Sequence, residues 1–393
     1  MTDLIALNGR LLASIKADDY AGHDPFDFLN SRLFQATPLN QNRIARLVWL
    51  QLGKHLPINL RPLLQVPKMR NPKGIALCLA GLLQDFRRTS RPEFLDEAKR
   101  LGPWLISQRS DPEFWQSPCW GYHFDWQARA FHVPAGKPNI ITTCYVARAL
   151  YALGQQTADS RLMELALSSA RFMADHLYTE RDGQAFYAYI PGETAFVHNA
   201  SLWGAAWCAF AGHQTGRVDL VDQAMRVTRE TVSAQSADGS WVYGTRKHHQ
   251  FVDSFHTGFN LEALCLIRDV TRSVEFDDCI RRGYDYYVST FITSTGDINY
   301  YKTSTYPLDM HSVAQAVITL LTTGNGPTAR EQSTLILSRA IECLYQPARD
   351  RFVYQKHRWL TNRINYTRWT QAWAYYALAF YHRYCAEPSN ATN

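Results

Sequence analysis

The chain has 393 residues, 46% of them apolar and 13% aromatic, which is enough for one large core or several smaller ones. Its formal charge of +6, from 41 basic and 35 acidic residues, is mild. No Lys/Arg block, zinc-finger spacing or RNA-binding signature occurs, which excludes a nucleic-acid partner from the expectations.

The eight cysteines include no Cys-x-x-Cys, and Cys78, Cys144, Cys208 and Cys265 fall inside apolar helical runs. They read as small buried hydrophobes of a reduced, cytoplasmic protein. No run of 18 apolar residues exists, so no membrane span is expected. Residues 4–15 are interrupted by Asn8 and Arg10 and lead into Asp18-Asp19, which does not read as a signal peptide.

In chain order, residues 4–16 predict a short helix. The turn-rich, aromatic stretch 20–31 follows, suited to capping the domain or reaching over its cleft. A helix is expected over 43–55, a proline-rich loop over 56–71, and an almost wholly apolar helix over 72–85, with Pro72 at its first position. From there a repeat sets in. Amphipathic helices are expected near 94–109, 161–177, 218–235, 275–292 and 331–346. Each leads into an aromatic turn: Trp120-Gly-Tyr-His-Phe, Asp182-Gly-Gln-Ala-Phe-Tyr, Asp238-Gly-Ser-Trp-Val-Tyr, Gly296-Asp-Ile-Asn-Tyr-Tyr and Asp350-Arg-Phe-Val-Tyr. A second, less charged helix follows each turn, over 140–153, 200–210, 254–267, 310–321 and 366–381.

With the helix at 72, six helices of the apolar kind result. Helices wetted on one side, alternating with helices apolar all round, form two concentric rings, an all-α (α/α)6 toroid with short aromatic β-turn insertions; an open solenoid is the alternative. Residues 1–40 are set apart as a capping segment, 41–386 as the toroid and 387–393 as a tail.

The turn Gln235-Ser-Ala-Asp-Gly-Ser-Trp241 resembles the Q-x-x-D-G-S-W turn of terpenoid-cyclase and prenyltransferase-like toroids. The hairpin series resembles six-hairpin glycosidases and toroidal polysaccharide lyases. The stretches 20–31, 57–62, 71–74 and 120–126 together resemble uncharacterised bacterial proteins linked to surface-polysaccharide synthesis. The D-x-D-D motif of terpene cyclases is absent, and the zinc set of protein prenyltransferases cannot be picked out, so those classes are set aside.

In such a toroid the inner-helix N-termini converge on one funnel and favour anionic groups there. Residues at those starts are therefore the site candidates. As catalytic groups the reading names His256, Tyr301, Asp253, Tyr122, His123, Asp125, Asp309 and His311. For substrate binding it names Trp120, Trp126, Asn139, His198, Asn199, Arg246, His248, His249, Asn260, Lys302, Tyr366, Arg368 and Trp369. The stretch 238–262 is the densest, and Asp253, His256 and Asn260 share one helix face. Asp253 and Asp309 serve equally well as N-caps. Asp253-x-x-His256 and Asp309-x-His311 could offer metal ligands, but no recognised metal spacing is present, so neither metal nor cofactor is expected.

Three readings stay open for a glycan. Elimination or C5 epimerisation of a uronic acid needs a His or Tyr base, a proton donor, and Asn or Arg to neutralise the carboxylate. Hydrolysis needs two opposed carboxyls, with Asp125, Asp253 and Asp309 as candidates. The third reading is a noncatalytic glycan-binding or assembly protein. The expectation is a lyase or epimerase acting on an acidic oligo- or polysaccharide in bacterial surface-polysaccharide biosynthesis. Peripheral association with a membrane polysaccharide-assembly complex goes with it.

Overall fold

The computed structural model describes residues 4–127, 132–324 and 326–386, so the segment 387–393 lies outside the described residues. It is an (α/α)6 toroid. The inner helices are Pro72–Thr89, Ile140–Thr157, His198–Thr215, Ser254–Thr271, Met310–Thr323 and Ala372–Ala386, the last entered through a π-helical turn, Thr367–Gln371. Each packs against the next and the sixth packs against the first, so the ring is closed. The expected open alternative, a solenoid, is thereby overturned.

The inner helices are buried nearly all round; in Ile140–Thr157, for instance, every residue from Ile140 to Ala147 is buried. Small residues let them approach. A Cβ on Gly81 would stand 2.5 Å from the Tyr375 ring of the sixth inner helix, so glycine is what that crossing admits. Four of these helices, Pro72–Thr89 with its left-handed Ser90 among them, run about a turn further than the apolar pattern suggested. The other three end only where Ala158, Gly216 and Arg272 turn left-handed.

Outer helices Pro92–Ser107, Ser160–Phe172 (prolonged by the π turn Met173–Leu177), Val218–Ser233, Asp277–Phe291 and Pro327–Leu344 each pack on the inner helix that precedes them in the chain. On the sixth inner helix that place is taken from the other end of the described chain. Leu4–Ala17 packs against it instead, burying Leu7, Leu11 and Ile15.

The aromatic turns follow an alternation of two, as extended chain requires. Trp120 and Trp241 point inward and donate from Nε1 to the ends of the outer helices, at Leu105 O (2.7 Å) and Thr231 O (3.0 Å). Two residues later, Tyr122 and Tyr243 face the mouth of the ring. The Gln235–Trp241 turn is a clamp on the outer layer. Gln235 Nε2 donates to Gly239 O and Cys279 O, and a Cβ on Gly239 would meet Arg282 O at 2.3 Å.

Residues 18–71 form a lid beside the mouth, built on the helix Arg43–His55. Trp49 stacks on Phe34 (4.8 Å) and Phe28 (5.3 Å). Two buried ion pairs lock it. Arg61 Nε meets Asp27 Oδ1 at 2.7 Å, and Arg368, just ahead of the sixth inner helix, meets both Asp24 oxygens at 2.6 and 2.8 Å.

Candidate active site

The inner-helix starts explain themselves first as caps. Asn71, Asn139, Asp253 and Asp309 each accept hydrogen bonds from backbone N–H groups of the first helical turn, a contribution of about 1 kcal/mol apiece. Asp253 also holds the histidine of its own first turn. Its Oδ1 caps His256 N at 2.8 Å, while its Oδ2 lies 2.7 Å from His256 Nδ1. A carboxylate on Nδ1 fixes the ring's orientation and leaves Nε2 for other chemistry.

His256 borders a cavity of about 430 Å³. Its floor continues into a recess of about 80 Å³. Tyr122, Trp126, Arg246, His248, His249, Asp253, His256, Tyr301, Arg368 and Trp369 are brought together around the main cavity. Asn199 and His311 join the recess.

The walls are aromatic. His256 lies 4.5 Å from the Tyr243 ring and 4.3 Å from Phe255, and Tyr122 and Tyr189 share a hydrogen bond of 2.9 Å between their hydroxyls. Burial first, and then the charge of Asp253, raise the pKa of Tyr243 and of Tyr301, so both are protonated donors at neutral pH. Arg246 is paired with Glu193, whose carboxylate also accepts from the backbone of Thr194 and Ala195.

The recess is basic. Lys73 is buried, and its Nζ sits 4.3, 5.1 and 5.6 Å from the ring centres of Tyr145, Trp373 and Phe259. No carboxylate pairs with it among the described residues. Burial, assisted by Arg368, lowers its pKa well below the usual lysine range. Arg368 lies over the Tyr122, Trp369 and Phe124 rings at 5.1–5.7 Å with Asp24 behind it. His311 is stacked on Trp373 (4.6 Å) and Phe255 (5.0 Å), and neither ring nitrogen has a hydrogen-bond partner among the described residues. Burial and the nearby Lys73 keep it neutral.

The remaining candidates stand elsewhere, each for a physical reason. Trp120 is fully buried against the outer layer, and Asn139 caps its helix. His123 turns away from the cavity to Asn71 Nδ2, 2.8 Å distant, and burial lowers its pKa to about 4. Asp125 accepts from Ala135 N and faces His132. His198 is buried on Phe196, its pKa lowered to about 4 by burial. Asn260 lies a turn below His256, inside the wall. Lys302 points outward and is exposed. Tyr366 is buried between Arg61 and Tyr354. Asp309 is covered by the strand Gln355–Lys356; its Oδ2 takes a hydrogen bond from Gln355 Nε2 at 2.7 Å, and burial pushes its pKa up to about 6.

Residues that the sequence reading passed over complete the cavity: Tyr189, Glu193, Tyr243, Phe251 and Phe255 from the turns and helix starts, and Phe26 and Lys54 from the lid. The two-residue step from Trp241 to Tyr243 was a usable signal; nothing comparable marks Lys54. No group of three His, Cys, Asp or Glu side chains able to hold a metal occurs among the described residues.

No protein-family model matches the sequence, and no curated protein matches it. Solved structures do. An unsaturated glucuronyl hydrolase specific for heparin aligns over 97% of this chain and 96% of its own, with 10% identity and a TM-score of 0.63. The cellobiose 2-epimerase of Spirochaeta thermophila aligns over 80% and 86%, with 13% identity and a TM-score of 0.59. A GH76 α-mannanase of Bacteroides thetaiotaomicron aligns over 82% and 88%, with 13% identity and a TM-score of 0.63. These neighbours are six-hairpin glycosidase-like, carbohydrate-active enzymes. At such identities the likeness establishes the shared toroid.

Proposed function

We propose that this chain is an enzyme acting on an acidic, uronic-acid-containing oligo- or polysaccharide of a bacterial surface-polysaccharide pathway, by lyase or epimerase chemistry. The observation that carries the reading is His256, held by Asp253 at a cavity ringed by tyrosines and backed by an unpaired buried lysine. His256 Nε2 removes the proton at C5, α to the sugar carboxylate, and Asp253 stabilises the resulting imidazolium. Charge spreads onto the carboxylate, which Lys73 faces from the recess. In elimination a tyrosine, Tyr301 or Tyr243, protonates the departing O4 and a C4–C5 double bond forms. In epimerisation a tyrosine returns a proton to the opposite face of C5. Among the neighbouring folds, one is named for a glucuronyl substrate and another for the epimerisation of a neutral disaccharide; the first supports the acidic substrate and the second the reaction type.

Hydrolysis is the second reading, favoured by two of those neighbours. The carboxylates bordering the main cavity are Asp253 and Glu193, and both are engaged, by His256 and by Arg246. A reducing, cytoplasmic setting accords with eight free thiols, six of them buried.

The test is incubation of the protein with uronic-acid-containing bacterial surface polysaccharides in D₂O. Ultraviolet absorbance of a new double bond indicates elimination, and deuterium at C5 without chain cleavage indicates epimerisation. Cleavage with neither is hydrolysis and overturns the proposal. So does an unchanged polymer.

A further inference from the structure

The lid carries a feature that the cavity does not use. From Phe28 to Gln84 the sequence has no Asp or Glu and eight Lys or Arg. Within it lie eight of the seventeen exposed large hydrophobic side chains among the described residues: Leu33, Leu39, Ile44, Val48, Leu52, Ile58, Leu63 and Met69. Between Leu33 and Met69 that is nearly half of them in under a tenth of the chain, so the clustering is regional.

The lid helix Arg43–His55 gives the cluster a direction. Ile44, Val48 and Leu52 follow at i, i+4 and i+8 on one face and are 71%, 64% and 42% exposed. Its other face closes on Trp49 and Leu50, and Lys54 reaches the catalytic cavity. Around the apolar stripe, Arg32, Arg43, Arg46 and Lys54 have no carboxylate partner among the described residues. Arg61 and Arg70 are paired, with Asp27 and Asp19, and Lys68 lies 3.9 Å from Asp18.

A second element adds to this face. Strands Gln355–Lys356 and Thr361–Asn362 form a hairpin whose tip holds Trp359, 88% exposed, beside Leu360. Its charges are all basic: Lys356, Arg358 and Arg363, with Arg358 lying over the Trp359 ring at 5.2 Å. The hairpin is joined to the lid through Tyr354, just ahead of it, which packs on Tyr366 at 4.8 Å, and Tyr366 in turn lies under Arg61 of the lid at 4.9 Å. An exposed tryptophan among cations, next to an amphipathic helix without acids, has the chemistry of the lipid headgroup boundary.

We infer that the lid helix and the Trp359 hairpin together form a docking surface for an anionic lipid bilayer. The apolar side chains enter the headgroup–acyl boundary while the arginines and lysines meet lipid phosphates. A neutral surface would leave that charge unmatched, and a protein partner would need an acid-rich apolar groove to match it. Lys54 then ties the docked face to the rim of the cavity, so a glycan at the membrane surface reaches the mouth. The inference does not depend on which reaction the cavity performs.

The experiment is co-sedimentation of the full chain with vesicles of phosphatidylcholine, alone or with phosphatidylglycerol. Binding is expected to the anionic vesicles only, and to fall steeply in 1 M salt as screening shortens to a few ångströms. Arg43→Glu and Trp359→Ala should each weaken it about tenfold with the thermal melt unchanged. Equal binding to both vesicle types overturns the proposal, as does no binding to either. So does concentration-dependent self-association without vesicles that Val48→Ser abolishes, which would assign the stripe to a second copy of the chain.

Discussion

The fourth and fifth inner helices start from nearly the same sequence, Asp253-Ser-Phe-His256 and Asp309-Met-His311, and yield different chemistry. Both aspartates cap their helices. At a spacing of three, His256 folds back onto its own cap and sits 2.7 Å from the free carboxylate oxygen. At a spacing of two, His311 points into the ring and stacks between Phe255 and Trp373, out of reach of any acceptor. Asp309, left without a histidine, is covered by a strand and drifts toward its protonated form. One residue of spacing separates an oriented base from a stacked, neutral ring.

The sharpest way to break this comparison is to remove its active member. His256→Ala is expected to lower turnover by about 10³-fold or more, in the upper range for a general base, with the melting temperature nearly unchanged, since the helix cap remains. Steady-state rates and a thermal melt check both halves; retained turnover removes His256 from the chemistry.

The buried histidines should reveal themselves next, through pH. His123 and His198 have folded pKa values of about 4 because burial disfavours the charged ring. Unfolded, they titrate near 6.5. The unfolded chain therefore binds more protons between those values, so stability is complete above about 6.5 and lost as pH falls toward 4. The loss approaches about 3 kcal/mol for each ring. Urea melts from pH 7.5 to 4.5 measure it, and His198→Gln should flatten the slope.

The third prediction sets the two caps against each other. Asp253→Asn keeps the helix capped but takes the carboxylate from His256, and should cost about 10- to 100-fold in kcat. Asp309→Asn should leave kcat alone and change stability by no more than about 1 kcal/mol, because asparagine caps as well and the buried acid already resists ionisation. Equal losses of kcat from both would erase the distinction.

The toroid was legible because its signals are local. Apolar helices, aromatic turns and their spacing all repeat within a window of about sixty residues. What escaped is nonlocal. Nothing in residues 4–17 announces that they complete the hairpin of a helix at 372–386. Nothing near Arg368 announces that its counter-charge, Asp24, lies 344 residues away. The candidate site divides along the same line. Residues whose place at the cavity is set by their own turn or helix start, such as His256 and Tyr122, could be placed there from sequence. Whether Asn139, Asp309 or Trp120 serves the cavity or the scaffold depends on which neighbour arrives first, and only the packed structure records that. Lys73 stands at the start of the first inner helix, and only the packed structure shows that aromatic rings rather than water surround its amine.

The docking of Leu4–Ala17 on Ala372–Ala386 has a kinetic meaning. The earliest of these helices to leave the ribosome must wait, its greasy side uncovered, for the latest to be made. Until then the circle stays a broken arc, and Arg368 has not yet met the lid that neutralises it. A chain that stops short of residue 372 therefore keeps Leu7, Leu11 and Ile15 uncovered, an apolar surface of the kind chaperones recognise.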